Sequence, residues 1–291
     1  MNRTVIPPVL VTGATGRIGR IVVDRLLEAG VPVRALARRS EAATLPAKVE
    51  VFAGDLTVPE SLDPALKGAG AVFLVWTAPP QSAAAVIERL AANVRRVVFL
   101  SSPHRTPHPF FQQPNPMAAL HADIERLIAA TGLESSIIRP GMLASNSLAW
   151  WAPAIRRGEV VRWPYGAART APVDDRDVAA VAARTLHQDG YAGGDYVLTG
   201  PESLSQVAQV DAIGAALGRR IAFEEMTPDE FRSLSEGTAP RPVVEMLLAA
   251  WAAAVGPPAH VTTAVADILG TAPRTFRQWA ADHATAFAPG S

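Results

Sequence analysis

Apolar positions in the first 140 residues follow two rhythms. Short runs of β-branched residues and leucine, at 9–11, 31–37, 49–53, 71–76, 96–100 and 135–139, are bounded by turn residues and read as strands. Between them lie stretches with apolar residues at helical spacing. One carries Ile21, Val22, Leu26 and Leu27, one spans about 81–92, and one runs from about 115 to 131 with Ile124, Leu127 and Ile128, Gly132 being placed to stop it. Strand, helix, strand in regular alternation predicts an α/β fold with a doubly wound parallel sheet and right-handed crossovers. Past residue 142 the alternation loosens. A helix start with acids in its first turn follows Pro172, a short strand lies within 189–201, Thr227-Pro228-Asp229-Glu230 forms a capping-box pattern, and helices are expected near 243–254, 262–269 and 274–287. The division expected is a sheet domain over 1–142, with later strands returning to it, and a smaller, mostly helical lobe over 143–291.

The first strand runs into VTGATGRIGR, a glycine turn that opens a helix. In such a turn Gly13 can take positive φ, Gly16 lets the backbone approach a pyrophosphate and Gly19 lets helix and strand pack closely. The helix N-terminus adds free N–H groups and partial positive charge. A dinucleotide site is the reading. About 20 residues on, where an acidic residue would bind a ribose 2′-OH, the chain has Arg38-Arg39-Ser40. Arg38, with Arg17, suits a 2′-phosphate, so NADP(H) is expected over NAD(H); the alternative for Arg38, Arg17 and Arg39 is a solvated surface arginine. Asp55, just past the third strand, can hydrogen-bond adenine with Leu56 against the ring, or cap the helix that starts near Pro59; both can hold.

Proline-rich PHRTPHPFFQQPNP, 103–116, is expected not to be helical, and without a helix the His104/His108 spacing does not make a metal site. The loop is expected over the substrate, with Phe110 and Phe111 as wall or lid. Pro140-Gly141-Met142 leaves the sixth strand at the carboxyl edge, where ligands bind in such sheets. Trp150, Trp151, Trp163 and Tyr165 cluster further on, as pocket or as core.

Composition narrows the chemistry. The 291 residues carry 27 basic and 27 acidic side chains, which argues against a general nucleic-acid or anionic-membrane binder. No cysteine is present, so disulfides and thiolate chemistry are excluded. No apolar run reaches transmembrane length and no signal-peptide core precedes the first strand, so a cytoplasmic protein, monomer or homodimer, is expected. Only Lys48 and Lys67 are lysines.

VTGATGRIG, Arg38, GDL at 54–56, SS at 101–102, His121 with Glu125, TGL…IIRPG at 131–141, DxRDVA at 174–179 and YxLTGPE at 196–202 occur in order. With them the chain resembles the atypical short-chain dehydrogenase/reductases, in particular the NmrA-like branch. The resemblance implies a Rossmann domain and a C-terminal substrate lobe. The cofactor contacts it implies are Gly13, Thr15, Gly16, Arg17, Ile18, Gly19, Arg38, Asp55, Leu56, Ser101, His121, Pro140 and Gly141. In register with the wider family, Met117 stands at the position of the proton-donating tyrosine and His121 at that of its lysine, so the Tyr-Lys relay is missing. Ketone or alcohol chemistry needs such a donor, whereas a quinone or enone spreads the charge. His121, Ser102 and Tyr165 remain as catalytic candidates, His121 as proton source or ribose contact. The expected substrate is aromatic or conjugated, lined by Phe110, Phe111, Met142, Trp150, Trp151, Trp163 and Tyr165. An NADPH-dependent reductase, a non-catalytic NADP(H) sensor and a non-redox cyclase or isomerase of a polycyclic metabolite all fit this reading.

Overall fold

The computed structural model describes residues 6–37 and 45–290. Eleven strands and twelve α-helices are found among them. The run opening at Val9 is β1 (Val9–Val11), and the glycine turn delivers the chain into α1 (Arg17–Glu28). There follow β2 (Val33–Ala37), β3 (Glu50–Ala53), α2 (Asp63–Leu66), β4 (Ala71–Val75), α3 (Ala83–Asn93), β5 (Arg96–Leu100), α4 (Pro116–Ala129) and β6 (Glu134–Pro140). After α5 (Asn146–Trp150), α6 (Ala152–Arg156), β7 (Val161–Trp163) and β8 (Arg169–Thr170) come α7 (Asp175–His187) and β9 (Asp195–Leu198). The chain closes through β10 (Leu204–Ser205), α8 (Gln206–Ala216), β11 (Phe223–Glu225), α9 (Pro228–Ser235), α10 (Arg241–Ala253), α11 (Ala264–Leu269) and α12 (Phe276–Asp282).

Seven strands form one sheet in the order β3-β2-β1-β4-β5-β6-β9, and the ladders from β3 through to β6 are parallel. The expected doubly wound α/β fold is what the chain adopts. Register explains its core: Leu10 pairs with Val72, Val72 with Val97, and Leu74 with Phe99, and all five side chains enter one apolar cluster with Leu62, Val86, Leu90, Ile124 and Ile128 from the covering helices. The α7 helix packs on α1, β4 and β5.

Two compact units emerge, and they interleave along the chain. One comprises residues 1–102, 119–139 and 175–196, the other 103–118, 140–174 and 197–291. The second has a separate core in which Trp151, Trp163, Trp251, Phe231, Phe276 and Trp279 are buried. It also holds two small sheets, β8 with β10 and β7 with β11.

Two local expectations change. The proline-rich loop contains a 3-10 turn at Pro109–Phe111, with His108 capping it by accepting from Phe110 N at 3.3 Å. The helix before Gly132 ends at Ala129, and Gly132 is not left-handed. Thr131 closes the end instead: its hydroxyl donates to Ile128 O at 2.7 Å and accepts from Leu133 N at 3.2 Å.

Candidate active site

The glycine turn takes the geometry its spacing predicts. Gly13 sits at φ +62°, a conformation that costs an L side chain. A Cβ on Gly19 would lie 2.1 Å from Gly13 O, so only glycine lets α1 close onto the turn. Gly16 is the N-cap residue of α1, and no side chain caps it there. The N-terminus of such a helix offers N–H groups and partial positive charge that suit a phosphate. A groove of about 400 Å³ opens beside them, lined by Thr12, Gly13, Thr15, Gly16, Leu36, Ala37, Gly54, Asp55, Leu56, Thr57 and Thr77. Such a cradle fits a pyrophosphate and an adenosine. Asp55 also serves the fold, because its Oδ1 accepts from Thr57 N at 2.8 Å and from Thr57 Oγ1 at 2.9 Å. Ile18 is buried on the packed face of α1. Arg17 is exposed, and Arg38 lies outside the described residues.

At the carboxyl ends of β5 and β6 lies a buried polar network. Arg139, whose side chain is 1% exposed, donates to Glu125 Oε1 and Oε2 at 2.7 and 2.8 Å and to Asp195 Oδ1 and Oδ2 at 2.5 and 3.0 Å. It also donates to Ser102 O at 2.8 Å. Burial opposes its charge, but the hydrogen bonds to Glu125 and Asp195 prevail and hold its pKa above the ordinary arginine value. The Ser101 hydroxyl donates to Glu125 Oε1 at 2.5 Å, so that side chain is engaged in the network. Clamped by Arg139, the loop presents Ser102 Oγ at 2.9 Å from His121 Nδ1, with the His121 ring edge-on to Phe99. Ser102 and His121 are therefore brought together. Met117 is 44% exposed on α4, and Lys48 and Lys67 lie exposed on the surface.

The candidate substrate residues separate. Phe110, Phe111, Gly141 and Met142 line a half-enclosed notch of about 10 Å³, together with His108, Arg169, Thr170, Ala171, Thr199, Ala259 and His260. Trp150 and Trp163 line a distinct, more open groove of about 750 Å³. Trp151 is fully buried in the core, which keeps it from any ligand. Tyr165 packs against that same core with φ +57°, and does not line the notch. Among the described residues no three His, Asp or Glu side chains are grouped to hold a metal ion, and no helix is long and apolar enough to cross a membrane. Sequence reasoning misses Arg139, Asp195, Thr199 and His260. Arg139 and Glu125 stand in its motifs, but pairs made across the sheet carry no local signal.

The sequence profile described as NAD(P)H-binding matches residues 13–189. The chain belongs to this family. It is similar to "(4-alkanoyl-5-oxo-2,5-dihydrofuran-3-yl)methyl phosphate reductase" of Streptomyces griseus, at 39% identity over 97% of this chain and 99% of that protein. It is similar also to the NAD(P)H azoreductase of Xenophilus azovorans, at 31% identity over 96% and 99% of the two chains. Among solved structures, an NADPH-dependent quinone oxidoreductase from Escherichia coli superposes with TM-score 0.79 at 22% identity, covering 94% of this chain and 98% of that one. The NADP(H) complex of Citrobacter sp. triphenylmethane reductase gives TM-score 0.80 at 20% identity, covering 95% and 99%. The chain is thus a member of the NAD(P)H-binding family, and its fold is shared with these reductases and with NmrA, which superposes with TM-score 0.73 at 20% identity.

Proposed function

We propose that the enzyme is an NADPH-dependent reductase of small conjugated carbonyl compounds, enones or quinones, including those that bear an anionic group. The observation that carries this reading is the full-length resemblance to a reductase whose named substrate is an unsaturated five-membered lactone with a phosphate. The missing tyrosine agrees with it, because a conjugated acceptor does not need a strong acid at its oxygen in order to react. NADPH, held by the glycine turn, would supply the hydride; the acceptor would take it at carbon with its electron pair moving onto oxygen, and a solvent proton would complete the two-electron reduction.

The chain's own residues divide the remaining work. Gly13, Gly16 and the first N–H groups of α1 bind the pyrophosphate, Asp55 and Leu56 hold the adenine, and Arg38 with Arg17 pairs the 2′-phosphate. Ser102 and His121, held at 2.9 Å, form a hydrogen-bonded pair for the ribose or for proton supply. Pro140 and Gly141 carry the chain from β6 toward the notch. Arg169, exposed at the notch, offers a counter-charge to an anionic substituent; its side chain's one hydrogen bond among the described residues is to Ser203 O at 3.3 Å.

The test is NADPH consumption by the purified enzyme over a panel of quinones, butenolides and azo dyes. Turnover with a conjugated carbonyl is expected, and faster turnover of a phosphate-bearing butenolide than of its neutral alcohol. Tight NADPH binding with no acceptor reduced would overturn the reading. For the cofactor, Arg38→Ala should weaken NADPH by about 10- to 100-fold and leave NADH unchanged, the loss of one or two charge-assisted hydrogen bonds. Equal weakening of both would contradict the 2′-phosphate assignment.

A further inference from the structure

The notch in the second unit is built around one side chain whose hydrogen-bonding capacity the fold leaves unused. His260 lies on the segment between α10 and α11, and that segment is pinned from four points. His108 Nε2 is 3.0 Å from Pro258 O, Ala259 N donates to Ser203 Oγ at 2.8 Å, Thr262 N donates to Thr199 Oγ1 at 2.9 Å, and Thr262 Oγ1 donates to Val197 O at 2.6 Å. So the backbone on both sides of His260 is fixed, while its imidazole makes no hydrogen bond to any described residue. Phe111 meets the ring edge-to-face at 6.4 Å and His108 lies 6.2 Å away.

His108 and His260 differ in this respect. With Phe110 N donating to Nδ1 and Nε2 facing Pro258 O, His108 has both ring nitrogens committed to the loop and serves as wall. Among the described residues, nothing takes up either nitrogen of His260, which leaves both for a ligand. His108 and Arg169 are the other titratable or charged side chains lining the notch. Partial burial, with the neighbouring His108 adding to it, holds His260 below the ordinary histidine pKa, so at neutral pH it is an uncharged imidazole with one N–H to donate.

Room in the notch matches a single polar atom. At about 10 Å³ it holds roughly one water-sized group and no ring. Two of its lining residues, Gly141 and Met142, follow directly on β6 in the chain, and Thr199 follows directly on β9.

We propose that this notch is an oxygen-binding subsite in which the His260 N–H donates to the carbonyl oxygen of the substrate and stabilises the negative charge that reduction places there. A neutral imidazole held in advance stabilises an oxyanion as a hydrogen-bond donor, with no reorganisation at the moment of reaction. In this role it takes over part of what the family's tyrosine does, from a different element. The inference rests on the reductase reading above for its substrate, while the subsite itself can be tested by binding alone.

The probe is 4-nitrophenolate, an aromatic oxyanion that cannot be reduced at carbon by this route, titrated by absorbance into the full-length protein and into His260→Gln and His260→Phe, with and without NADP⁺. Gln keeps a neutral donor and Phe keeps the ring without one. Wild type and the Gln variant should bind the phenolate within about threefold of each other, and the Phe variant about tenfold or more weakly, the worth of one hydrogen bond to a charged group. Equal binding by the Phe variant overturns the proposal. Should that variant not fold, the ring ¹⁵N–¹H signals of His260 in wild type decide: displacement on phenolate addition supports the subsite, and no displacement overturns it. If wild type reduces no acceptor, the reductase reading fails while the phenolate titration still tests the notch. If acceptors are reduced and the Phe variant matches wild type in phenolate binding, the reductase reading stands and this inference falls.

Discussion

Single residues in this chain divide into those whose role is set by the backbone and those set by partners far away in sequence. Gly19 belongs to the first kind. A Cβ there would overlap Gly13 O at 2.1 Å and Gly13 C at 2.8 Å, both backbone atoms that no rotamer change can move. Gly19→Ala must therefore push α1 off the glycine turn, misplacing the N–H groups that would meet a phosphate. The expected outcome is a loss of about 1–3 kcal/mol of stability, as for overpacking elsewhere, and at least about tenfold weaker NADPH binding by calorimetry. Gly132→Ala supplies the contrast. An alanine methyl at residue 132 would meet no atom within 4 Å, and Gly132 has no positive φ, so the substitution should leave stability unchanged or raise it by up to about 1 kcal/mol. His260 belongs to the second kind: its loop is defined by Ser203, Thr199, Val197 and His108, and only the fold shows that its imidazole is left over.

Elements were legible in the sequence wherever a local pattern decides them. The strands β1 to β6 and the helices between them follow from runs of apolar residues bounded by turns, and Leu10, Val72 and Val97 fall into register because each strand alternates faces. The glycine turn was legible for the same reason. What was not legible is the joining of elements: Arg139 reads as one residue of a buried strand, yet it ties β6 to Glu125 on α4, to Asp195 on β9 and to the Ser102 carbonyl after β5. Trp151 was not decided by sequence either, since it is as consistent with a pocket as with a core until its zero exposure is seen. The network at Arg139 makes a definite prediction. Replacing Arg139 by Leu leaves Glu125, with only 5% of its side chain exposed, without the guanidinium that pairs its charge. Stability should fall by about 3–5 kcal/mol, read as the shift in urea midpoint. The double variant Arg139→Leu with Glu125→Leu should recover part of the loss, because it removes the stranded charge along with its partner.

Across the whole molecule the charges balance at neutral pH, 27 against 27, so acid stability depends on which groups have shifted pKa values rather than on a large net charge. His260 is held below its ordinary value of 6.5. As pH falls through that value the unfolded chain takes up a proton that the folded chain refuses, so stability present above the histidine range declines on the acid side of it. Four carboxylates shift in the same direction through partners: Asp189 by Arg96 and Arg95, Glu159 by Arg157, Glu230 by Thr227 and Arg162, and Glu245 by Arg232 and Arg241. Their folded pKa values lie below 3.8 for Asp189 and below 4.5 for the glutamates. Their contribution is complete above those ordinary values and is lost as pH falls through the depressed ones. Thermal unfolding followed from pH 8 to pH 3 should therefore show two losses of Tm, a shallow one through the histidine range and a steeper one in the carboxylate range. All of these side chains are partly or fully open to solvent, so added salt should blunt the carboxylate step by screening the ion pairs. His260→Gln should flatten the upper step and leave the lower one in place. An upper step of undiminished size in that variant would assign it to other histidines, and a carboxylate step indifferent to salt would mean that the surface ion pairs do not carry it.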